Sequence, residues 1–481
     1  MNRENRLSLL HSRYNPQAEA ERYVASLSFG EKPRFFILIE PGLAYITAPL
    51  KNRFPGAKLI ALHAAKRDCD EPGCTMQKSQ DLPEQPDSQW FPGTELSVQG
   101  FLEREIPDSA AGDIRILEWR PALAVYGGLY LALVEEAAAF IKRSDANYRT
   151  YRAFGKRWFR NFFKNLSIIR HVICPERLKM PLLVTGAGPG LEDSIPLIAP
   201  NERPFILAVS ASAPALKAHG IIPDMLISTD GGIWAAFHLF ECFRTDGRTR
   251  APSPIAAALT AALPSQCESL PILPICDGSL WQTLILKALG IPFVLLPQRG
   301  TVSAAALDLA FALSEGPIYI AGMNLANKDI KSHSRPYSLD RFMEEKAARL
   351  NPVYCQAYNR SSMLKAGGSY GIYASWFEKQ LAAYPKRLYS LGKNSPVFSS
   401  LELSSSKNAA EHEDNKHLPV NFEIITLEST GKISEKAYAV LEQALKDPVH
   451  SPALRKELAP VLPDSREYTS IDELIKALRH G

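Results

Sequence analysis

The segment Pro181–Asp230 limits the possible folds more than any other, because it sets a glycine-rich turn between a short apolar run and a helix-like stretch. Leu182–Thr185 reads as a strand, Gly186-Ala187-Gly188-Pro189-Gly190 follows at once, and Leu191–Ile198 has helical character. Two further apolar runs, Phe205–Val209 and Met225–Thr229, read as strands that end in polar residues: Ser210 and Ser212 after the first, Asp230 after the second. This is the layout of an open α/β sheet, whose ligands bind outside the carboxyl ends of the strands. Glycines let the backbone approach a phosphate closely, and the N–H groups at the start of the next helix favour an anion. The expected nucleotide pocket therefore uses Gly186, Gly188, Pro189 and Gly190, with Ser210, Ser212 and Asp230 nearby.

Missing residues narrow the nucleotide. A dinucleotide fold wants Asp or Glu about 20 residues past the glycines to hold a ribose, and Val209-Ser210-Ala211-Ser212 stands there instead. A phosphate loop of the Walker type requires a Gly-Lys-Ser or Gly-Lys-Thr ending, which occurs nowhere in the sequence. A glycine turn alone is also a simple strand-to-helix connection; the strand-end serines and Asp230 favour the ligand reading.

A second group of candidates lies downstream. Thr301 and Ser303 begin a helix running to Leu313, where a hydroxyl can cap the helix or touch a ligand. Pro317–Ala321 is a buried-type strand ending in Gly322-Met323-Asn324, and the Asn324 amide can bond a base, a ribose or a sugar, or close its own turn. His333 follows on the polar loop Lys331–Arg335, as a solvated residue or as a general base.

The runs GAGPGLEDSIPLI, AVSASAPALKAHGIIPDMLISTDGG and GTVSAAALDLAFALSEGPIYIAGMNLANKDIKSHS resemble, in this order, the two hallmark blocks of the motility-associated factor (Maf) family of flagellin glycosyltransferases. The first two runs are also similar to the domain shared with MptE-like hydroxymethylpterin diphosphokinases, and the motif layout resembles bacterial sialyltransferases that use CMP-activated sialic acid. The resemblance covers roughly residues 120–390. It implies a central Rossmann-like, sialyltransferase-like doubly wound domain that transfers a nonulosonic acid from a CMP-activated donor to Ser or Thr of flagellin or another protein acceptor. It makes His333 the general base, needs no cofactor, and puts the nucleotide at the glycine turn, Ser210, Ser212, Thr301 and Ser303. Three positions depart from the family pattern: Gly190 replaces a frequent Ser, Asn324 a usual Asp, and Asn327 a common aromatic residue. The diphosphokinase alternative would need ATP and Mg2+, with Asp224 and Asp230 as the metal-binding carboxylates. A catalytically degenerate nucleotide-binding protein of the same fold is the third reading.

Length and patterning predict an α/β protein of several domains. The expected division is an N-terminal α/β domain over 1–145, a central domain over 146–345, a helical extension over 346–402, a linker over 403–418 and a helical tail over 419–481. Arg34–Glu40, Ala57–His63 and Gly112–Trp119 read as strands of the first domain, which carries no glycine-rich turn and is expected to be scaffold. A net charge of +4 does not point to nucleic acid. The start lacks the apolar core of a signal peptide, and the longest uncharged apolar run, Pro121–Val134, is shorter than the roughly 20 residues of a membrane span, so a cytoplasmic location without a span is expected. Seven cysteines without a Cys-x-x-Cys pair suggest free thiols, Cys69 and Cys74 included. In Tyr148–Leu166 bases alternate with aromatics, and Phe154, Trp158 and Phe162 are expected to share the buried face of a helix.

Overall fold

Apolar runs without alternation form strands buried on both faces, and such strands are parallel strands covered by helices. In the computed structural model, β1 (Phe35–Ile39), β2 (Lys58–Leu62), β3 (Ser88–Trp90) and β4 (Ile114–Glu118) form a parallel sheet in the order β3-β2-β1-β4. The three strands expected in this part are β1, β2 and β4. β3 comes from the stretch Cys69–Gly93, whose polar, proline-dense sequence reads as a long loop. The structure describes residues 10–29, 33–65, 83–94, 96–106, 108–198, 203–243, 253–328, 331–355, 369–381, 387–404, 420, 422–427, 430–461 and 470–480. Cys69, Cys74, Gly367, Gly368 and positions 405–418 of the expected linker lie outside them.

The chain divides into two compact units, Met1–Ala153 and Phe154–Gly481, with the boundary inside the helix Gly128–Ile168. The second unit is built on β5 (His171–Ile173), β6 (Leu182–Thr185), β7 (Phe205–Val209), β8 (Met225–Ser228), β9 (Ile255–Ala258), β10 (Pro271–Cys276), β11 (Val294–Leu295), β12 (Ile318–Ala321), β13 (Leu388–Leu391), β14 (Leu403–Ser404) and β15 (Ile424–Thr426). Their order is β14-β13-β12-β6-β7-β8-β9-β10-β5-β15, with β11 beside β10; every pairing is parallel except β5 with β15. From β6 the chain steps outward through β7, β8, β9 and β10, then returns to lay β12 on the other edge of β6. The direction of winding reverses between β6 and β12, and this is the switch point where doubly wound sheets hold ligands.

Helix Val302–Leu313 makes the return crossing and packs on β6, β7 and β8. Its buried Ala304, Ala305, Ala306 and Ala310 bring it close to Val184, Leu207 and Ile227 of the sheet. The expected helical extension supplies β13, the first two residues of the expected linker form β14, and the expected helical tail contributes β15. Each of these strands is at most four residues long, too short to show a period in sequence. After β15, helices Thr430–Lys446, Ser451–Leu458 and Ile471–His480 follow, and the Glu457 carboxylate accepts the Leu280 and Trp281 N–H groups at the start of helix Leu280–Ala288.

The basic and aromatic segment belongs to one helix, but its buried ridge differs from the expected one. Phe159, Phe162, Phe163 and Leu166 are buried, whereas Phe154 is 42% exposed and Trp158 half-buried. Side-chain amides on this helix fix its rotation: Asn161 donates to Gly231 O and Thr260 O, and Asn165 to Leu259 O and Ala261 O.

A Cβ on Gly186 would sit 2.6 Å from the carbonyl oxygen of Gly322, whereas one on Gly371 would meet nothing within 4 Å. Gly186→Ala is therefore expected to cost about 2–3 kcal/mol of stability by urea titration, and Gly371→Ala less than about 1 kcal/mol. Equal effects would show that the close approach does not matter.

Candidate functional site

The turns that leave β6, β12 and β13 are joined into one structure. Gly186 N–H donates to Ala321 O at 2.8 Å, Gly188 N–H to Gly322 O at 2.8 Å, and Gly190 N–H to Asn324 Oδ1 at 2.7 Å. Asn324 Nδ2 in turn donates to Lys393 O. Asn394 makes a matching clamp: its Oδ1 accepts Met323 N–H, and its Nδ2 donates to Ile320 O and Ser390 Oγ. Asn324 thus bonds the glycine turn instead of closing its own turn. The next residue, Leu325, adopts φ +48, a left-handed conformation that costs a non-glycine residue energy and is concentrated at functional sites.

This clamp changes the role of the glycines. A Cβ on Gly188 would lie 2.5 Å from Asn324 Oδ1, and one on Gly190 2.5 Å from Asn324 Nδ2. The close approach they permit is taken by the neighbouring turn, and their N–H groups are spent on protein acceptors rather than open to a phosphate. The helix that follows, Leu191–Ser194, is a single turn whose first residues after Leu191 are Glu192 and Asp193. Its first turn already carries two carboxylates.

Other expected residues separate into structural and available groups. Ser212 is buried; its hydroxyl donates to Val209 O and lies 3.0 Å from Thr185 Oγ1, tying β7 to β6. Ser210 is also buried, at the end of β7. Thr301 sits at the N-cap in extended backbone (φ −140, ψ 140), yet its side chain makes no capping bond; with the half-buried Ser303 it places a hydroxyl at the carboxyl edge of the sheet. Val302 between them packs on the core cluster that also receives Ala187, Leu325 and Tyr337. Asp230 is exposed, and its Oδ1 accepts Gly232 N–H. Asp224 does not join it. Asp224 is paired with Arg203 and accepts Ile206 N–H at the amino end of β8, so the strand, about 20 Å of extended chain, separates the two carboxylates. They cannot share one ion, which corrects the metal-pair expectation.

The loop after β12 returns over the glycine turn. Ser334 N–H donates to Ala187 O, Lys331 pairs with Glu192 at 2.9 Å, Arg335 N–H donates to Glu192 Oε1, and Lys328 pairs with Asp193. Partial burial works to raise the Glu192 pKa, but Lys331 and the Arg335 N–H outweigh it and hold the carboxyl below its usual range. His333 is half-buried, its Nδ1 2.9 Å from Ser332 Oγ and its ring stacked on Tyr337 at 4.1 Å. Tyr337 also lies 5.3 Å from His238 of helix Ile233–Phe243. Burial pushes the His238 pKa down to about 4, with Asp230 opposing the shift. His238, Asn394 and Glu192 were absent from the sequence reading. A lone histidine in the apolar run IWAAFHLFECF, and an acidic pair directly after the glycine turn, are the signals that mark two of them.

Comparison with known proteins adds an independent finding. Residues 156–329 match the family model for 6-hydroxymethylpterin diphosphokinase MptE-like proteins, so the second unit carries an MptE-like domain. The match includes the glycine turn, Thr301, Ser303 and Asn324 and stops before His333. Two uncharacterized proteins of Treponema pallidum (strain Nichols) are similar in sequence, one 28% identical over 287 residues and one 24% identical over 313. The alignments take in 59% and 60% of this chain and 61% and 53% of those proteins, so the chain spans less than two thirds of either relative. Among solved structures, the Maf glycosyltransferase of Magnetospirillum magneticum AMB-1 is similar with a TM-score of 0.46 and 15% identity, over 96% of this chain and 77% of that one.

Above about pH 6.5 His238 is neutral whether the chain is folded or not; at lower pH the unfolded chain takes up the proton first, and folding loses stability until about pH 4. The loss is at most about 3 kcal/mol. Urea midpoints of the wild type are expected to fall between pH 6.5 and 4 more steeply than those of His238→Phe; parallel curves would contradict the assignment.

Proposed function

We propose that this protein is a glycosyltransferase of the motility-associated factor type, which transfers a nonulosonic acid from a CMP-activated donor to a Ser or Thr hydroxyl of flagellin or another protein acceptor. The observation that carries the reading is the position of His333. It stands on the loop held to the glycine turn by Ser334 N–H and Ala187 O, at the carboxyl edge of an MptE-like domain where nucleotides are expected. The paired sequence blocks support the Maf assignment.

Departure of the nucleotide leaves an oxocarbenium-like carbon, so the site has to stabilise the leaving phosphate and remove a proton from the acceptor. With the glycine N–H groups engaged, Thr301, Ser303 and Ser210 are the hydroxyls assigned to the nucleotide, and the clamped turn of Gly186, Gly188, Pro189 and Gly190 forms the floor beneath it. His333 is the general base. If Nδ1–H is donated to Ser332 Oγ, Nε2 carries the lone pair that takes the acceptor proton as the new C–O bond forms. Asp230 lies beside this edge, and the donor needs no metal in this scheme. We place the protein in the cytoplasm, where CMP-activated sugars are available; among the described residues no helix is long and apolar enough to cross a membrane.

A diphosphokinase remains the second reading because the family model bears that name. It requires ATP and Mg2+ held by carboxylates other than the Asp224 and Asp230 pair. A thermal-shift titration with CMP, CDP, UDP, ATP and GTP, with and without Mg2+, separates the two. Stabilisation selective for CMP and independent of metal is expected. Stabilisation by ATP only with Mg2+ would replace the transferase by the kinase, and no response to any nucleotide would leave a degenerate scaffold.

A further inference from the structure

The helix Ile233–Phe243, which follows β8, is apolar nearly all round: in IWAAFHLFECF only the His238 imidazole and the Glu241 carboxylate interrupt it. Such a helix is ordinarily covered on every side. This one buries Ala235, Ala236 and Leu239 and turns Ile233, Trp234, Phe237 and Phe240 outward, 60%, 44%, 42% and 37% exposed. Their spacing follows the helical period, so the four form one ridge about 10 Å long. The rings pack in series: Trp234 is 5.7 Å from Phe237, Phe237 6.2 Å from Phe240, and Trp234 4.8 Å from Phe342 of helix Asp340–Glu345. Charged groups rim the ridge. Lys346 Nζ stands 4.1 Å over the Phe342 ring, Glu241 is on the helix itself, and Asp230 is exposed just before it. An exposed apolar patch with a polar rim marks an interaction site.

The shape and the place of the ridge select its partner. Small molecules bind in concave pockets that enclose them, whereas a convex row of Trp and Phe with a charged rim has the composition of a protein interface. The ridge also adjoins the candidate general base. His238, one turn after Trp234, has its ring 5.3 Å from Tyr337, and Tyr337 stacks on His333 at 4.1 Å. Phe342, packed on Trp234, belongs to the helix that follows Tyr337. Ridge and His333 are therefore joined through packed rings. A Ser or Thr side chain offers a transferase one hydroxyl and little apolar area, so the affinity for a protein acceptor has to come from contacts beyond the reacting group. A second copy of the chain or a lipid surface seated on the ridge would crowd the approach to His333 that an acceptor needs.

We propose that Ile233, Trp234, Phe237 and Phe240, with Phe342 beside them, form the docking surface for the protein acceptor, and that they take an apolar stretch of it near the Ser or Thr presented to His333. The assignment rests on the glycosyltransferase reading and gives that reaction's acceptor a place on this chain. Trp234 and Phe237 lie at the centre of the contact, and Lys346 and Asp230 stand at its edge.

The test uses the full-length protein and dye-labelled flagellin monomer encoded by the same genome, titrated by fluorescence anisotropy, with CMP thermal shift and light scattering in parallel. The wild type is expected to bind the monomer. The Phe237→Ala/Phe240→Ala double variant should bind it at least tenfold more weakly, with the CMP response and the mass in solution of the wild type. Should the double variant fail to fold, Ile233→Ser, at the most exposed of the four positions, serves instead with a severalfold loss. Equal binding by the variants, or no binding by the wild type, overturns the surface. A wild-type dimer that the double variant dissociates gives the ridge to a second copy, and phosphatidylglycerol vesicles that bind the wild type but not the variant give it to lipid; either result overturns the proposal. Flagellin binding with no CMP response supports the surface and removes the CMP-donor reading, whereas a CMP response with no flagellin binding removes the surface and leaves that reading standing.

Discussion

Backbone contact between the turn after β6 and the turn after β12 sets the position of the glycine turn, of Asn324 and of the loop that carries His333. Gly186, Gly188 and Gly190 bring one turn against Gly322, Met323 and Asn324, and Gly322 takes φ +67 to meet it. No Cβ fits at this junction without displacing a backbone oxygen or the Asn324 amide. Asn324 and Asn394 then tie in the turn after β13, so three adjacent strands end in one rigid edge. Such an edge can hold a loop in register for chemistry, which a set of independent turns cannot.

Electrostatics at this edge follow from the same geometry. The N–H groups that would have attracted an anion are already donated to oxygens, and Glu192 and Asp193 occupy the start of the short helix. Those carboxylates gather Lys331, Lys328 and the Arg335 N–H, which bend the His333 loop back over the glycine turn. The pairs are partly exposed, so each adds little to stability on its own. Their effect is positional: they hold the loop that carries His333, Ser334 and Tyr337 against the glycine turn.

The local pattern of the fold was legible in the sequence, and the long-range closures were not. Strands β1, β6, β7, β8 and β12 are short, almost wholly apolar runs, and β2 and β4 are apolar runs with a charged residue at an end or in the middle; such runs announce themselves within a few positions. The glycine turn was visible for the same reason, but its partner was not: Gly190 and Asn324 are 134 residues apart, and nothing in either segment names the other. Asp224 looked like a possible companion of Asp230 because the two are close in sequence, yet an extended strand carries them to opposite edges of the sheet. The buried ridge of the basic helix was misjudged because aromatic spacing gives a period and not a phase. Asn161 and Asn165, reading as ordinary polar residues, set that phase by bonding carbonyls near the ends of β8 and β9. His238 carried a weak signal, a single imidazole in an apolar helix, whose meaning depends on Tyr337 almost a hundred residues away.

The central claim is that the glycine turn is a backbone clamp rather than an open phosphate cradle. Amide exchange and chemical shifts of Gly186, Gly188 and Gly190, followed by 15N NMR on the glycine-labelled protein before and after addition of CMP, test it most directly. The account predicts that all three N–H groups are protected without ligand and keep their shifts when CMP binds, with Gly190 losing protection in Asn324→Ala. Fast exchange without ligand, followed by large shifts of these amides on binding, would show that the turn holds the phosphate after all.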